Sequence, residues 1–167
     1  MTVSGGSREY KDGGHGSSKV VTSMKKVLVA GATGYLGQFV VMALKTRGYW
    51  VRALGRSTAK LAPVEKHADE LFIGEVTDPD SLAGICDGID IVFSSVGITR
   101  QKDGLTYQDV DYQANRNLLS IARASGASKF MYVHVLNAEK LRHVAMIRAK
   151  QRFVDELKRS ALEHMVV

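Results

Sequence analysis

The seven residues GATGYLG, from Gly31 to Gly37, constrain the fold of this chain more than any other segment. An apolar segment precedes them at 25–30, and apolar residues at helical spacing follow at 35–47. In a turn between a strand and a helix, three glycines permit a tight bend, a close approach of backbone to phosphate, and close helix packing. The free N–H groups of such a helix start favour an anion. The predicted pyrophosphate-binding residues are Gly31, Thr33, Gly34, Tyr35, Leu36 and Gly37.

Strand and helix patterns alternate along the rest of the chain. Short apolar segments rich in β-branched residues are separated by longer segments with helical periodicity, which is typical of βαβ units around a parallel sheet. The predicted strands cover 25–30, 49–54, 70–73, 89–96, 129–135 and 164–167, and the predicted helices cover 35–47, 58–68, 78–86, 106–124 and 138–160. We therefore predict an α/β fold of the Rossmann type, a doubly wound parallel sheet of five to six strands in a three-layer α/β/α arrangement.

Residues 1–23 differ from the rest of the chain, because they are rich in Gly and Ser and poor in apolar side chains. Such a segment buries too little apolar surface to offset its chain entropy, so we predict a disordered tail followed by one domain over 24–167. The last predicted strand begins at His164, and a buried parallel strand is normally followed by another element. We therefore expect the domain to be truncated at its C-terminus.

Composition excludes several classes of protein. No apolar run approaches the roughly 20 residues of a membrane span, and the first residues lack the apolar stretch of a secretory signal. Cys86 is the single cysteine and cannot form an intrachain disulfide, so we expect a reducing, cytoplasmic location. The sequence has no zinc-binding spacing, P-loop or serine-hydrolase motif, so no metal site is predicted.

The chain is basic, with 23 Lys and Arg against 17 Asp and Glu and a formal net charge of +6. Much of the excess lies in the helical pattern at 138–160. A basic helix of this kind is more often a solvated face than a nucleic-acid surface, so nucleic acid is not the favoured partner. The sequence leaves open whether the chain forms a homo-oligomer, and the basic charge of the last helix is unfavourable for close self-association.

From VLVAGATGYLG onward, the chain resembles the short-chain dehydrogenase/reductase superfamily, specifically its extended and atypical branches, which include the NmrA-like proteins. Its glycine spacing is G-x-x-G-x-x-G, in contrast to the G-x-G-x-x-G of the standard dinucleotide fingerprint. The resemblance covers nearly all of 24–167. It implies a nicotinamide dinucleotide cofactor, an unknown small-molecule substrate, and a substrate pocket formed mainly by residues beyond Val167.

Basic residues follow the second predicted strand, where an acid would select NAD. A carboxylate about 20 residues past the glycine turn binds the ribose hydroxyls of NAD, whereas a basic residue accepts the 2′-phosphate of NADP. This chain has Arg56 and Lys60 there, and no acid before Glu65. We therefore predict NADP, with NAD less suitable. Arg52 lies within the strand and is expected to point elsewhere.

Two more segments match cofactor-binding positions of the resembling families. Those families usually have Gly-Asp and a hydrophobic residue near the adenine, where this chain has Gly74, Glu75 and Val76. Their backbone passes under the cofactor at the end of the fourth strand. The resemblance thus adds Glu75, Val76, Ser95, Val96 and Gly97 to the predicted cofactor site. Asn115 matches an asparagine that supports the active site in extended members, although its type and position also suit a core or surface role.

The catalytic positions depart from the resembling families. Those enzymes usually place a proton-donating tyrosine four residues before a lysine, and the lysine also holds the nicotinamide ribose. Lys150 matches the lysine, but Met146 stands where the tyrosine is expected, and a thioether carries no transferable proton. His134 stands where the companion serine is expected. The predicted catalytic residues are therefore Lys150, which also binds cofactor, and His134, whose ordinary pKa suits proton transfer.

Three interpretations follow from this mixture of matches and departures. The chain could be part of an NADP-dependent oxidoreductase of the atypical type, with Lys150 or a histidine transferring the proton. It could instead bind NADP without turnover, as a redox sensor or a regulatory NmrA-like protein. It could also be a fragment whose cofactor site is completed in a larger assembly. Whether the chain is an enzyme is left open by the sequence.

Overall fold

The fold is built on one parallel sheet. The structure is a computed structural model that describes residues 24–98 and 104–167, so the predicted tail lies outside the described residues. The strands are β1 (Lys26–Ala30), β2 (Trp50–Gly55), β3 (Glu70–Ile73), β4 (Ile91–Ser94), β5 (Lys129–Tyr132) and β6 (Glu163–Val166). Their spatial order is β3-β2-β1-β4-β5-β6, with every neighbouring pair parallel. The chain moves outward from β1 and then returns beside it at β4, which makes the sheet doubly wound and confirms the predicted fold class.

Helices cover both faces of the sheet. They are α1 (Tyr35–Thr46), α2 (Thr58–Leu61), α3 (Asn115–Ala124) and α4 (Ala145–Arg159). Successive side chains of β1 enter opposite cores, because strand residues alternate between faces. Val27 and Val29 pack in the same core as Val41 of α1. Leu28 packs in the other core, with Phe153 of α4. The result is the three-layer arrangement that the sequence predicts.

Two predicted helices are shorter than expected. The helix predicted at 58–68 consists of α2 and a separate 3₁₀ turn at Glu65–His67. Pro63 lies between the two, and a residue without an N–H does not continue an α-helical ladder. The helix predicted at 78–86 is a 3₁₀ turn at Pro79–Leu82. Asp78 caps that turn as expected, since its carboxylate accepts a hydrogen bond from the N–H of Asp80 at 3.2 Å.

The predicted helix at 106–124 changes type along its length. Gln108–Ala114 forms a π-helix that leads directly into α3. The side-chain amide of Asn115 donates to the backbone carbonyls of Val110 and Asp111, at 3.3 and 3.1 Å. A side chain that enters the carbonyl ladder in this way widens a helix locally. Hydrophobic periodicity does not reveal such a side-chain contact.

The predicted helix at 138–160 is interrupted near its start. A 3₁₀ turn at Ala138–Leu141 follows Asn137, whose φ of 55° is left-handed, and α4 begins only at Ala145. Val144 is extended and precedes α4 directly. The buried face of α4 begins with Ile147, so the preceding segment has few apolar side chains with which to hold a helix against the sheet.

The fourth and fifth strands are shorter than predicted, at four residues each instead of 89–96 and 129–135. Ile89 belongs to the turn before β4, where its N–H donates to the carbonyl of Cys86. Beyond Ser94 the chain leaves the sheet and lines a groove. His134 lies beyond the end of β5, although its N–H still reaches the carbonyl of Val167 at 2.7 Å. The bounds of β3 are as predicted, and the remaining strand boundaries differ from prediction by at most one residue, as strand ends commonly do.

Candidate functional site

A groove opens at the carboxyl ends of β1, β2 and β4, beside the point where the strand order reverses. Ligands of doubly wound sheets bind at such a point. The structure brings most of the predicted cofactor residues to this groove, although they are distant in sequence. Those that line it are Gly31, Thr33, Gly34, Arg56, Glu75, Val76, Ser95, Val96 and Gly97. Sequence reasoning missed four apolar side chains in its wall, Leu54, Ile98, Leu105 and Val110, because their chemistry is that of ordinary core residues.

The glycine turn leaves no room for side chains at two of its positions. Gly31 has a φ of 85°, and a Cβ there would lie 2.6 Å from Oγ of Ser95. A Cβ on Gly37 would lie 2.0 Å from the carbonyl oxygen of Gly31. The first glycine therefore allows close contact with the end of β4, and the third allows α1 to pack on the turn.

The start of α1 is suited to an anion. Gly34 caps the helix, and among the described residues no side chain bonds to its free N–H groups. Tyr35 and Leu36 lie in the first turn, where backbone N–H groups lack helical partners and the helix dipole is positive. Their side chains are largely exposed and lie outside the groove lining. A pyrophosphate bound here would therefore contact these two residues through their N–H groups. The start of α1 thus fits the pyrophosphate of a dinucleotide cofactor.

Arg56 follows β2 directly and lies at one end of the groove. Its Nε is 3.8 Å from Oε2 of Glu75, and both side chains are partly exposed. A pair of this kind is weak, so Arg56 can turn toward a phosphate. Lys60 is exposed on α2 and lies outside the groove lining. Arg52 points elsewhere, as expected, and its guanidinium donates to Glu70 at 2.9 Å.

The segment after β4 forms the floor of the groove and is held from below by Asn115. Oγ of Ser94 donates to Oδ1 of Asn115 at 2.5 Å. The Asn115 amide donates to the carbonyl of Val96 at 3.3 Å. The N–H of Ser95 donates to the carbonyl of Ala30, which keeps this segment beside the glycine turn. Asn115 is fully buried, so it has a core role that supports the floor of the groove.

Lys150 lies behind the groove wall in a buried polar cluster. Its Nζ is 3.1 Å from Oδ1 of Asp111 and 3.3 Å from the phenol oxygen of Tyr132. Burial raises the pKa of the Asp111 carboxyl, and the charge of Lys150 opposes this rise. Burial also raises the pKa of the Tyr132 phenol. Sequence reasoning missed Asp111 and Tyr132, because three separate elements bring this cluster together and no local spacing indicates it.

His134 is half-buried between β5 and α4 and does not line the groove. Its Nε2 lies 3.2 Å from Oε1 of Gln151, and its buried Nδ1 has no hydrogen-bond partner among the described residues. Burial lowers the pKa of His134, and the charge of Lys150 adds to this effect, against the hydrogen bond to Gln151. The ring is therefore neutral at physiological pH. Met146, in the first turn of α4, is also half-buried.

The described residues contain neither a cluster of metal ligands nor a membrane-spanning helix. Within them, no three His, Cys, Asp or Glu side chains lie close enough together to hold a metal ion. No helix in 24–98 or 104–167 is both long enough and apolar enough to cross a membrane.

A doubly wound sheet whose glycine turn presents a helix start to a groove at the strand-order reversal defines the class of nicotinamide-dinucleotide-binding domains. Residues 31–167 match a family model described as NAD(P)H-binding. The chain belongs to this family and is an NAD(P)-binding domain of the NmrA-like, atypical short-chain dehydrogenase/reductase superfamily. This confirms the resemblance inferred from the glycine turn.

Two relatives of this chain have different names, one of an assembly factor and one of a reductase. The chain is 31% identical over 140 residues to photosystem II assembly factor Ycf39 of Cyanophora paradoxa, covering 84% of this chain and 43% of that protein. It is 33% identical over 141 residues to the chloroplastic divinyl chlorophyllide a 8-vinyl-reductase of Zea mays, covering 78% and 35%. The chain thus spans less than half the length of either relative.

A solved structure with the same fold is a putative NAD-dependent epimerase/dehydratase from Bacillus halodurans. It has a TM-score of 0.73 and 22% sequence identity, covering 85% of this chain and 68% of that one. At this identity the likeness concerns the fold.

Proposed function

We propose that this domain binds NADP(H) in the groove, in preference to NAD(H), as the cofactor-binding part of an oxidoreductase of the atypical short-chain type. The observation that carries the proposal is the convergence of the glycine turn, the start of α1 and Arg56 on one groove. The pyrophosphate would bind at the helix start, and the adenosine end of the cofactor would lie near Arg56. The nicotinamide end would then lie toward Gly97 and Lys150.

The preference for NADP rests on the charge at the end of β2. An acid at this position would repel a 2′-phosphate, whereas a guanidinium can bind it through two parallel hydrogen bonds. Glu75 lies across from Arg56 and partly neutralises it in the free protein. The 2′-phosphate would compete with this partly exposed carboxylate for Arg56. A phosphate that accepts two hydrogen bonds from the guanidinium is the stronger partner.

The test is to replace Arg56 by alanine and titrate the protein with NADPH and NADH. We expect the Arg56→Ala variant to bind NADPH at least about tenfold more weakly, because it loses a charge-assisted bidentate contact. Its affinity for NADH should stay nearly unchanged. Lys60→Ala is the matched control, since Lys60 is a nearby cation outside the groove lining. Equal losses for the two nucleotides would overturn the NADP preference.

A second candidate function is binding of NADP(H) without turnover. It is favoured by the absence of an accessible phenol at the expected place, because Met146 replaces the tyrosine and the phenol of Tyr132 is fully buried. His134 is half-buried and neutral and lies outside the groove lining, so it is a poor substitute for the tyrosine as a proton donor. One of the two relatives is called a reductase, whereas the other is called an assembly factor, a name that describes no reaction.

Turnover would separate the two candidates. The protein, loaded with NADPH, would be mixed with carbonyl compounds and activated alkenes while nicotinamide absorbance is followed. Oxidation that requires an acceptor and is lost in Lys150→Met would support the oxidoreductase. Tight binding with no oxidation by any acceptor class would favour the regulatory candidate.

A further inference from the structure

We propose that Asp111 is a positioning residue that holds the ammonium group of Lys150 directly behind the nicotinamide end of the groove. This inference rests on the proposed function, in which Lys150 contacts the nicotinamide ribose. It assigns a role to Asp111, which lies in the π-helix ahead of α3.

Asp111 and Lys150 form a buried pair, and the charge of each stabilises the charge of the other. Oδ1 of Asp111 is 3.1 Å from Nζ of Lys150, and their side chains are 0% and 11% exposed. A charged group removed from water is costly unless an opposite charge lies beside it. Oδ1 makes no aligned hydrogen bond with any described residue, so its interaction with Lys150 is chiefly that of opposite charges.

Gly97 places this pair immediately behind the groove wall. A Cβ on Gly97 would lie 2.6 Å from Oδ1 of Asp111 and 2.8 Å from Nζ of Lys150. Gly97 itself lines the groove. Any larger residue there would displace the pair, so the missing side chain is what brings the ammonium close to a bound cofactor.

Asp111 is fixed from several sides. Its Oδ2 accepts a hydrogen bond from the N–H of Ile98 at 3.3 Å, which ties it to the groove wall. Its backbone carbonyl accepts hydrogen bonds from Asn115 at 3.1 Å and from the Tyr132 phenol at 3.4 Å. The π-helix therefore supplies a rigid carboxylate, whereas the long side chain of Lys150 has many rotamers of its own.

The titratable groups that face Lys150 come from three places. Asp111 belongs to the π-helix, Tyr132 to β5, and His134 to the segment after β5. Tyr132 contacts Lys150 through a neutral phenol, and the pKa of His134 is lowered, chiefly by burial and to a smaller extent by the charge of Lys150. The carboxylate of Asp111 is therefore the group in this cluster that balances the charge of Lys150.

The first experiment measures NADPH affinity in a double-mutant cycle. Asp111→Asn keeps the shape of the side chain and removes its charge, so Lys150 should leave its position and affinity should fall about tenfold. In a Lys150→Met background, the same change should have almost no further effect, because Asp111 acts through Lys150. Tyr132→Phe should weaken NADPH binding less than Asp111→Asn does, because it removes a contact with Lys150 but no charge.

Asp80→Asn is the matched control, because Asp80 is an exposed acid that lies outside the groove lining. It should leave NADPH affinity unchanged. A merely structural Asp111 would weaken binding equally in both backgrounds, and that result would overturn the inference. An Asp111→Asn variant that binds within twofold of the native protein would also overturn it.

The second experiment needs no cofactor. Reductive methylation at a series of pH values, read by mass spectrometry, compares Lys150 with the exposed Lys158 on the same helix. Without its counter-ion, Lys150 should leave its buried position, so in Asp111→Asn the labelling of Lys150 relative to Lys158 should increase. An unchanged labelling profile of Lys150 would contradict the proposal.

The two experiments fail in distinguishable ways. If the native protein binds neither NADPH nor NADH, the proposed function is wrong, and the labelling experiment still decides the role of Asp111. If Asp111→Asn does not fold, the Asp111→Asn/Lys150→Met double variant tests whether Asp111 and Lys150 form a charge pair. Folding restored in the double variant would support the charge pair, and failure of both variants to fold would overturn it.

Discussion

At the scale of single residues, space and backbone angle make separate demands on glycine. Gly37 lies against the backbone of Gly31 inside the glycine turn, so this position has no room for a Cβ atom. Gly48 ends the turn after α1 with a φ of 80°, and no described atom lies within 4 Å of the place where its Cβ would be. Two glycines of the same fold thus resist substitution for different reasons.

This difference can be measured with a pair of alanine variants. Gly37→Ala should lower the free energy of unfolding by about 3 kcal/mol, because a rigid carbonyl would have to move. Gly48→Ala should lower it by about 1 kcal/mol, the cost of a left-handed alanine. Urea denaturation gives both values. Similar losses at the two positions would contradict the argument from space.

The thiol of Cys86 should be unreactive in the folded protein. Cys86 is fully buried, and burial raises its pKa to about 12, so almost no thiolate forms near neutral pH. A chromogenic disulfide reagent should therefore react at the rate at which the protein unfolds, and rapidly in urea. Fast labelling of the native protein would show that the thiol is accessible.

At the scale of elements, the buried face of α4 attaches this helix to the sheet. Phe153 is fully buried and contacts Tyr132 and Phe130 of β5 through aromatic pairs, with ring centres 4.7 and 5.7 Å apart. Because α4 also carries Lys150, the same packing sets the position of the proposed cofactor contact. Apart from Lys150, the basic residues of the helix lie on its exposed face.

Replacing the buried Phe153 by alanine should therefore lower the free energy of unfolding far more than replacing the exposed Lys158 of the same helix. Phe153→Ala should lower the free energy of unfolding by about 3 to 5 kcal/mol. Lys158→Ala, on the exposed face, should change it by less than about 0.5 kcal/mol. Thermal and urea unfolding test both. A small loss for Phe153→Ala would mean that α4 contributes little to the core.

The starts of β1 and β4 are joined by one carboxylate. Asp90 accepts hydrogen bonds from the N–H of Lys26 at 2.8 Å and from Nζ of Lys25 at 3.1 Å. The backbone hydrogen bond from Lys26 is the largest cause of the lowered pKa of Asp90, and the hydrogen bond and charge of Lys25 also lower it, against desolvation. A lowered pKa means that the ionised carboxylate stabilises the fold above about pH 4, and that this stabilisation is lost as the pH falls further.

Asp90→Asn should reveal this dependence on pH. Near pH 7 the variant should be less stable than the native protein by about 1 kcal/mol, since it loses a charged acceptor that is partly exposed. The difference should shrink as the pH falls below about 4, where Asp90 of the native protein gains a proton. Urea denaturation across this range tests it, and a difference that is constant with pH would contradict it.

At the scale of the whole molecule, the groove depends on the doubly wound order of the sheet. β1, β2 and β4 end side by side, so segments far apart in sequence surround one space. A ligand that contacts all of them should stabilise the entire fold, because unfolding must release it.

We therefore expect NADPH to raise the melting temperature. At a free concentration about 100 times the dissociation constant, the gain is about 2.7 kcal/mol, or on the order of 10 °C for a domain of this size. Differential scanning fluorimetry with NADPH and NADH measures it, and Arg56→Ala should reduce the shift with NADPH. Absence of a shift with either nucleotide would argue against the groove as a dinucleotide site.

The sequence by itself determined the class of fold and the position of the glycine turn, because both depend on local patterns. Apolar periodicity predicted a parallel sheet of five to six strands, with a strand before the glycine turn and a helix after it, and the order of residues placed Arg56 after the second strand. Residue type and position also indicated that Arg52 would point elsewhere. These inferences require no knowledge of which distant residues meet.

Only the tertiary structure decided which groups surround Lys150. Asp111 and Tyr132 reach it from a π-helix and a neighbouring strand, and the sequence gives no spacing that links the three. The break before α4 and the π-helix before α3 were likewise decided by side-chain contacts and left-handed backbone at particular residues. Periodicity reports which face of an element is buried, whereas the partners of a buried charge are fixed only when the elements pack together.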